Sequence, residues 1–247
     1  MDYAEYAKKL TDLLGLELPP IAVKFLKPSE SVPEGFNPPN RRIRFCQAVM
    51  EASWGKSLVI PPTEIACGPG PGAFGAPIKE KVLRGEVHYA LGLYSSPEAA
   101  AKSISANCRL PAGSVSNILV APLERFSIPV DSAILRLNPE QAMWICLTRS
   151  YQEGKRLIVE IPTEQCVCSS MAVAPYAKDE IGIGLGCYGS RTFTDIKPGE
   201  MMIGIPGSMI AITVGTLEKV KKPLEDSRAK KGFYEFYPEK KLTTTQS

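Results

Sequence analysis

Short apolar segments alternate with amphipathic helical segments along the chain, and this alternation limits the fold more than any other feature. Residues 2–15 have apolar side chains at spacings of three and four, which predicts an amphipathic helix. The segments 96–108 and 138–154 each begin with a capping residue followed by Pro and Glu, a pattern typical of helix starts. Residues 45–55 are predicted to form a further helix that ends at a glycine.

The apolar segments between these helices predict β-strands. They are IAVKFL (21–26), SLVI (57–60), VHYALGLY (87–94), NILVAPL (117–123), SAILRL (132–137) and LIVEIP (157–162). Residues 200–220 are predicted to form strands, or one strand and a final helix, and the glycine–proline segment 67–77 is predicted to be a non-helical turn. Because several connections are too short for crossover helices, we expect an α+β fold with a mixed sheet and packed helices.

The length of 247 residues predicts a single domain, 1–247, or two closely packed halves. Pro-Thr-Glu occurs at 62–64 and again at 162–164, and a cysteine follows each copy. This repeat suggests an internal duplication with halves of about 1–115 and 116–220, in which both halves would contribute to one site. The tail 238–247 contains few apolar residues, so we expect it to be loose.

Composition excludes several classes of function. The net charge is +3 and the basic residues are scattered, so no nucleic-acid-binding surface is expected. The apolar runs are far shorter than the roughly 20 residues that span a bilayer, and the N-terminus does not resemble a signal peptide. We therefore expect a cytoplasmic protein that does not bind membranes. Its partner would be a small-molecule substrate or a redox protein, and a homo-oligomer is left open.

Seven cysteines and a single histidine restrict the chemistry. In the cytoplasm, cysteines serve as reduced thiols, metal ligands or catalytic groups rather than as structural disulfides. Sites that need several imidazoles are excluded. His88 lies in a segment predicted to be a strand, where a structural histidine is more common than a catalytic one.

The surroundings of the cysteines divide them into two groups. Cys108 and Cys146 lie at or within predicted helices and are interpreted as core residues. The other five lie in loops or beside charged residues: Cys46 after RRIRF, Cys67 in CGPGPG, Cys166 and Cys168 in a C-x-C pair, and Cys187 in GLGCYGSR. Backbone N–H groups and cations lower the pKa of thiols, and Arg44 and Arg191 are candidate cations for Cys46 and Cys187.

Several thiols with almost no histidine suit soft metal sites, namely an iron–sulfur cluster or tetrahedral zinc. Zinc is the second choice because the chain has no paired C-x₂-C spacing. Two other interpretations stay open. One is a cluster-free, thiol-based binding protein in which Cys67 or Cys187 is a nucleophile, and the other is a structural protein with buried cysteines.

Several motifs together resemble the uncharacterised family called "domain of unknown function 169" of archaea and anaerobic bacteria. They are RRIRFCQAVMEA (41–52), IACGPGPGAFG (65–75), LGLYSSPEAAAKSI (91–104), ILVAPLE (118–124), LNPEQAMWI (137–145), VCSSMAVAPY (167–176), GLGCYGSR (184–191) and EMMIGIP (200–206). Some members have a further cysteine where this chain has Ser190.

The resemblance implies that four cysteines act together, namely Cys46, Cys67, Cys168 and Cys187. They are the expected ligands of a [4Fe–4S] cluster in a redox protein or enzyme, with Cys166 as an alternative ligand. Arg44 and Arg191 are expected in the outer shell, where they would tune the reduction potential. The catalytic residues and the substrate are left open.

Overall fold

A six-stranded sheet lies at the centre of the fold in a computed structural model that describes residues 2–230. Its strands are β1 (Ile21–Leu26), β2 (Leu58–Ile60), β3 (Asn117–Pro122), β4 (Ser132–Leu137), β5 (Gly182–Gly184) and β6 (Met201–Pro206). Their order is β2-β3-β1-β4-β6-β5, and each neighbouring pair is antiparallel. The α+β class is confirmed. The sheet is antiparallel at these pairings rather than mixed, because neighbouring strands enter it from opposite ends.

Helices cover both faces of this sheet. They are α1 (Tyr3–Leu14), α2 (Phe45–Ser53), α3 (Gly70–Ala73), α4 (Glu80–Leu83), α5 (Glu86–Ala90), α6 (Pro97–Ala106), α7 (Pro139–Glu153), α8 (Ala174–Lys178), α9 (Tyr188–Phe193) and α10 (Ile210–Lys230). A π-helix, Cys166–Val173, leads directly into α8. Within residues 2–230, no helix is long and apolar enough to cross a membrane.

Local capping chemistry explains where the predicted helices begin. The Ser96 side chain accepts a hydrogen bond from the Ala99 N–H at the start of α6. Asn138 and Gln141 form a reciprocal capping box at the start of α7. Such contacts lie within a few residues of one another, so they can be recognised from the sequence. The four long helices predicted from the sequence are confirmed as α1, α2, α6 and α7.

Three local predictions are wrong. The segment 87–94 forms α5 and a turn instead of a strand, because Gly85 and Gly92 adopt positive φ angles that bracket a short helix. The apolar run 157–162 pairs with no described strand and leaves Ile158 92% exposed. The segment 67–77 contains α3, whose prolines lie at the helix start, where a missing N–H costs nothing.

The two faces of the sheet belong to different cores. Along β1, Ala22 and Leu26 contribute to the first core, whereas Ile21, Val23 and Phe25 contribute to the second, as the alternation of a strand requires. Helices α1, α7 and α10 pack on the first face, and α2 and the π-helix pack on the second. All of the cysteines except Cys146 belong to the second core, so the fold collects them on one face.

The strand order is symmetric about the central β1–β4 pair. The equivalent strands β3 and β6 both end in proline and continue into a 3₁₀ turn. This order is compatible with an internal duplication, which stays a prediction, as does the single domain. The two Pro-Thr-Glu copies differ, because the Glu64 side chain is 59% exposed whereas that of Glu164 is 5% exposed. The tail 238–247 lies outside the described residues.

Candidate metal centre

A small cavity on the second face of the sheet is lined by Cys46, Cys67, Cys168 and Cys187. Its volume is about 40 Å³. The four cysteines come from separate parts of the chain, namely the start of α2, the loop before α3, the π-helix and the N-cap of α9. The fold therefore brings together the four cysteines that the sequence nominated as ligands.

Contacts between α2 and α9 position two of these thiols. The Arg44 N–H at the N-cap of α2 donates to Gln47 Oε1 (3.0 Å), and Gln47 Nε2 donates to the Phe193 carbonyl at the end of α9 (3.2 Å). At the start of α9, the backbone N–H of Ser190 donates to Cys187 Sγ (3.3 Å). The start of each helix is thus held beside the cavity, and Cys46 and Cys187 are both lining residues.

Gln165 connects the two segments that carry the other two thiols, Cys67 and Cys168. Its side-chain Nε2 donates to the Pro69 carbonyl (2.7 Å) in the loop that carries Cys67. Gln165 precedes the π-helix that carries Cys168 and has a φ of 49°, which is unusual for a residue other than glycine. π-Helical segments occur often at functional sites. The hydrogen bond from Gln165 to the Pro69 carbonyl therefore holds the loop that carries Cys67 against the π-helix that carries Cys168.

Arg44 supplies the positive charge in the cavity lining. Its Nη1 lies 3.6 Å from Cys67 Sγ, and its guanidinium carbon lies 3.9 Å from the centroid of the Phe193 ring. The stacked ring holds the guanidinium in place and adds a cation–π attraction. Arg44 therefore faces Cys67 more directly than Cys46, the partner expected from the sequence.

Arg191 has a different environment. Its guanidinium donates to the carbonyls of Leu185 (2.7 Å), Lys197 (3.1 Å) and Glu200 (2.7 Å), and it is absent from the residues that line the cavity. These bonds brace the loop around α9. Its charge acts on Cys166, where it lowers the thiol pKa against the larger effect of burial.

Burial dominates the ionisation of the thiols. It raises the pKa of Cys46 to about 12, and neighbouring Cys187 and Cys67 add to the rise. Burial also raises the pKa of Cys67, where the Gly70 N–H and Arg44 oppose it, and it raises that of Cys168. The charge of Arg44 lowers the pKa of Cys46, as expected of a neighbouring cation, but burial has the larger effect. These three thiols are protonated at neutral pH without a metal, which disfavours a nucleophilic role for Cys67.

The remaining cysteines do not line the cavity. Cys166 is fully buried and packs against β5, where a Cβ atom at Gly184 would overlap its sulfur. Burial raises the pKa of Cys166 to about 12. Cys146 lies in α7 against the first core, and the Cys108 carbonyl accepts a hydrogen bond from the Ser169 hydroxyl (2.8 Å).

The four thiols are the ionisable metal-binding groups of the cavity, and Gln165 and Ser190 add neutral oxygen atoms to its lining. Its lining contains no carboxylate and no imidazole. In the described part of the chain, no three His, Cys, Asp or Glu side chains are grouped closely enough to hold a metal ion. A tetrahedral zinc site needs thiolates about 3.8 Å apart, given bonds of about 2.3 Å. The thiols therefore share a cavity, and their side chains would have to rotate to bind a single ion.

Comparison with known proteins decides the family. The DUF169 model, described as "Uncharacterised ArCR", matches residues 9–215. The chain belongs to the DUF169 family. This DUF169 protein is also 28% identical over 222 residues to the "Uncharacterized protein MJ0308" of Methanocaldococcus jannaschii, over 88% of this chain and 94% of that protein. No solved structure matches. The resemblance drawn from the sequence is confirmed.

Sequence reasoning missed two features of this DUF169 protein. Gln165 lines the cysteine cavity, and its buried Oε1 has no hydrogen-bond partner among residues 2–230. His88 Nε2 lies 3.3 Å from Glu164 Oε2, and both side chains are buried. Burial lowers the pKa of His88 and raises that of Glu164. The second Pro-Thr-Glu copy pointed to Glu164, but its pairing with His88 depends on tertiary packing.

Proposed function

We propose that Cys46, Cys67, Cys168 and Cys187 hold an iron–sulfur cluster of the [4Fe–4S] type, and that the protein is a redox protein or enzyme. The observation that carries this proposal is the shared cavity, which these four thiols line without any carboxylate or imidazole. Thiolate ligands favour iron–sulfur clusters, zinc and copper(I) over magnesium and calcium.

The surrounding residues support the same function. Phe45, Ile65 and Val167 line the cavity and exclude water, which makes charge interactions inside it stronger. Arg44 offsets the negative charge that ligand thiolates would carry, and the Ser190 N–H donates to the Cys187 sulfur. Hydrogen bonds and positive charges near the sulfurs raise the reduction potential of a bound cluster. The cluster would supply one-electron transfer to a redox partner or a small-molecule substrate.

Cys168 is the proposed ligand from the C-x-C pair, and Cys166 is the alternative. Only Cys168 lines the cavity, whereas Cys166 packs against β5. The two side chains point differently because they lie two residues apart on a helical segment. All seven cysteines are free thiols, which suits a reducing compartment such as the cytoplasm.

Zinc is the second candidate, because four thiols that line one cavity match the four ligands of a tetrahedral zinc site. A single zinc ion and a cluster would both require these side chains to rotate from their present positions. Structural zinc would stabilise the fold without redox chemistry.

The two candidates are distinguished by purification without oxygen, followed by reconstitution with iron and sulfide. A cluster predicts bound iron and sulfide together with absorption near about 400 nm, which dithionite bleaches. Zinc predicts one equivalent of metal and no visible absorption. A colourless protein that contains no iron after anoxic reconstitution would refute the cluster.

Single serine substitutions test the ligand set. Cys46→Ser, Cys67→Ser, Cys168→Ser and Cys187→Ser should each reduce the iron content and the absorption. Cys146→Ser is the matched control, because this half-buried thiol lies in α7 against the other core. Equal iron content in Cys146→Ser and in all four cavity variants would contradict the assignment.

A further inference from the structure

A second cavity lies on the other side of the segment that leads into the π-helix. Its volume is about 370 Å³, within the range of about 300 to 1,000 Å³ that is typical of small-molecule sites. Its walls are mainly apolar and aromatic, and the residues that matter for recognition are Tyr94, Thr163, Glu164 and Tyr188. A large cavity with few polar groups is the usual form of a ligand pocket.

Glu164 is a buried acid on the wall of this cavity. Hydrogen bonding from Ser103 and Asn107 lowers the pKa of its carboxyl, against the larger effect of burial. Its Oε1 accepts a hydrogen bond from Asn107 Nδ2 (3.1 Å). Its Oε2 lies 3.3 Å from His88 Nε2, but neither Oε2 nor His88 Nδ1 has a hydrogen-bond partner among residues 2–230. A buried polar atom without a partner destabilises the folded state, and more so when it is charged, so such atoms call for an explanation.

The charges around the cavity favour a cationic ligand. Glu164 is the charged residue of the lining, which contains no lysine, arginine or histidine. Arg109 acts on Glu164 electrostatically but does not line the cavity. The rings of Tyr94 and Tyr188 add negatively polarised faces that attract organic cations.

We propose that this cavity binds a small organic cation, an ammonium group on an aromatic or aliphatic body, with Glu164 as its anionic partner. The tyrosine rings and the apolar wall would contact the body of the ligand. This proposal goes beyond the cluster and does not depend on it, because none of the four cavity cysteines lines the second cavity.

The second cavity is joined to the cysteine cavity through the backbone. Tyr188, which follows Cys187, donates its N–H to the Thr163 carbonyl (3.2 Å). Glu164 lines the second cavity, whereas the next residue, Gln165, lines the cysteine cavity. A ligand bound at Glu164 would therefore lie one peptide segment away from the thiols, where a small-molecule substrate of a redox centre is expected.

The test uses the full-length protein in its metal-free form and three probes of similar shape, namely benzylamine, benzyl alcohol and benzoate. Titration calorimetry and thermal unfolding measure binding, because a ligand that binds the native state raises Tm. Benzylamine should bind at least about tenfold more tightly than benzyl alcohol, and benzoate should not bind. Absence of benzylamine binding, or equal binding of benzoate, would overturn the proposal.

Variants locate the site. Glu164→Gln keeps the shape of the side chain but removes its charge, and it should weaken benzylamine binding about tenfold or more. Glu64→Gln is the matched control, because Glu64 is the exposed acid of the first Pro-Thr-Glu copy. Tyr188→Ala changes a side chain that is 57% exposed, so it should fold normally and still weaken binding. If both cavity variants bind like Glu64→Gln, the proposal fails.

Discussion

Zinc binding by the metal-free protein should strengthen steeply as the pH rises, because ligation requires thiolates. Burial raises the pKa of Cys46 to about 12 and also raises the pKa of Cys67 and Cys168. All three thiols therefore carry a proton near neutral pH, and each must release it when it binds the metal. We expect at least about three protons to be released for each zinc ion bound.

The number of protons released sets how steeply the apparent affinity for zinc changes with pH. Below the pKa of the thiols, the release of three protons makes the apparent affinity rise about 1,000-fold for each unit of pH. That change corresponds to about 4 kcal/mol of binding free energy per pH unit, at about 1.36 kcal/mol for each proton. Thiols that are already ionised would give a slope near zero, so the slope counts the protonated thiols that become ligands.

Competition with a chromophoric chelator, over about one pH unit on either side of neutrality, measures the apparent affinity. Proton release in weakly buffered solution gives an independent count. Cys46→Ser should reduce the count by about one, whereas Cys146→Ser should leave it unchanged. A slope of about one or less would refute the reasoning, since it would mean that the buried thiols are not the ligands or are already ionised.

Three further changes test the fold around the site. The metal-free protein should lose stability between about pH 9 and pH 12, because burial raises the pKa of Cys46 from 9.0 to about 12 and the folded state then keeps a proton that the unfolded state has released. Chemical unfolding should show a weaker loss in Cys46→Ser, and an unchanged pH profile would contradict this assignment. Gly184→Ala should cost about 1–3 kcal/mol in urea unfolding, because its Cβ would overlap the Cys166 sulfur, whereas Gly199→Ala meets no neighbouring atom and serves as the control. Asn138→Ala removes the capping box of α7 and should cost about 1 kcal/mol, and an unchanged Tm would refute its role.

Local chemistry made the long helices predictable. The helix starts at Ser96 and Asn138 depend on hydrogen bonds that span three residues, so the signal lies within the segment itself. The segments 87–94 and 157–162 were mistaken for strands because a strand also needs a partner. An apolar pattern does not show whether a partner strand lies alongside it, and neither segment has one in the described structure.

The sequence by itself determined the α+β class and the family, and it nominated the four cysteines that line the cavity, although it did not predict the π-helix that carries Cys168. Tertiary structure decided that Cys168, rather than Cys166, lines the cavity, that Arg44 faces Cys67, and that Glu164 meets His88. The physical reason is the range of the interactions. Capping and periodicity act over a few residues, whereas burial, which sets the thiol pKa values and the direction of each side chain, depends on segments far apart in the chain.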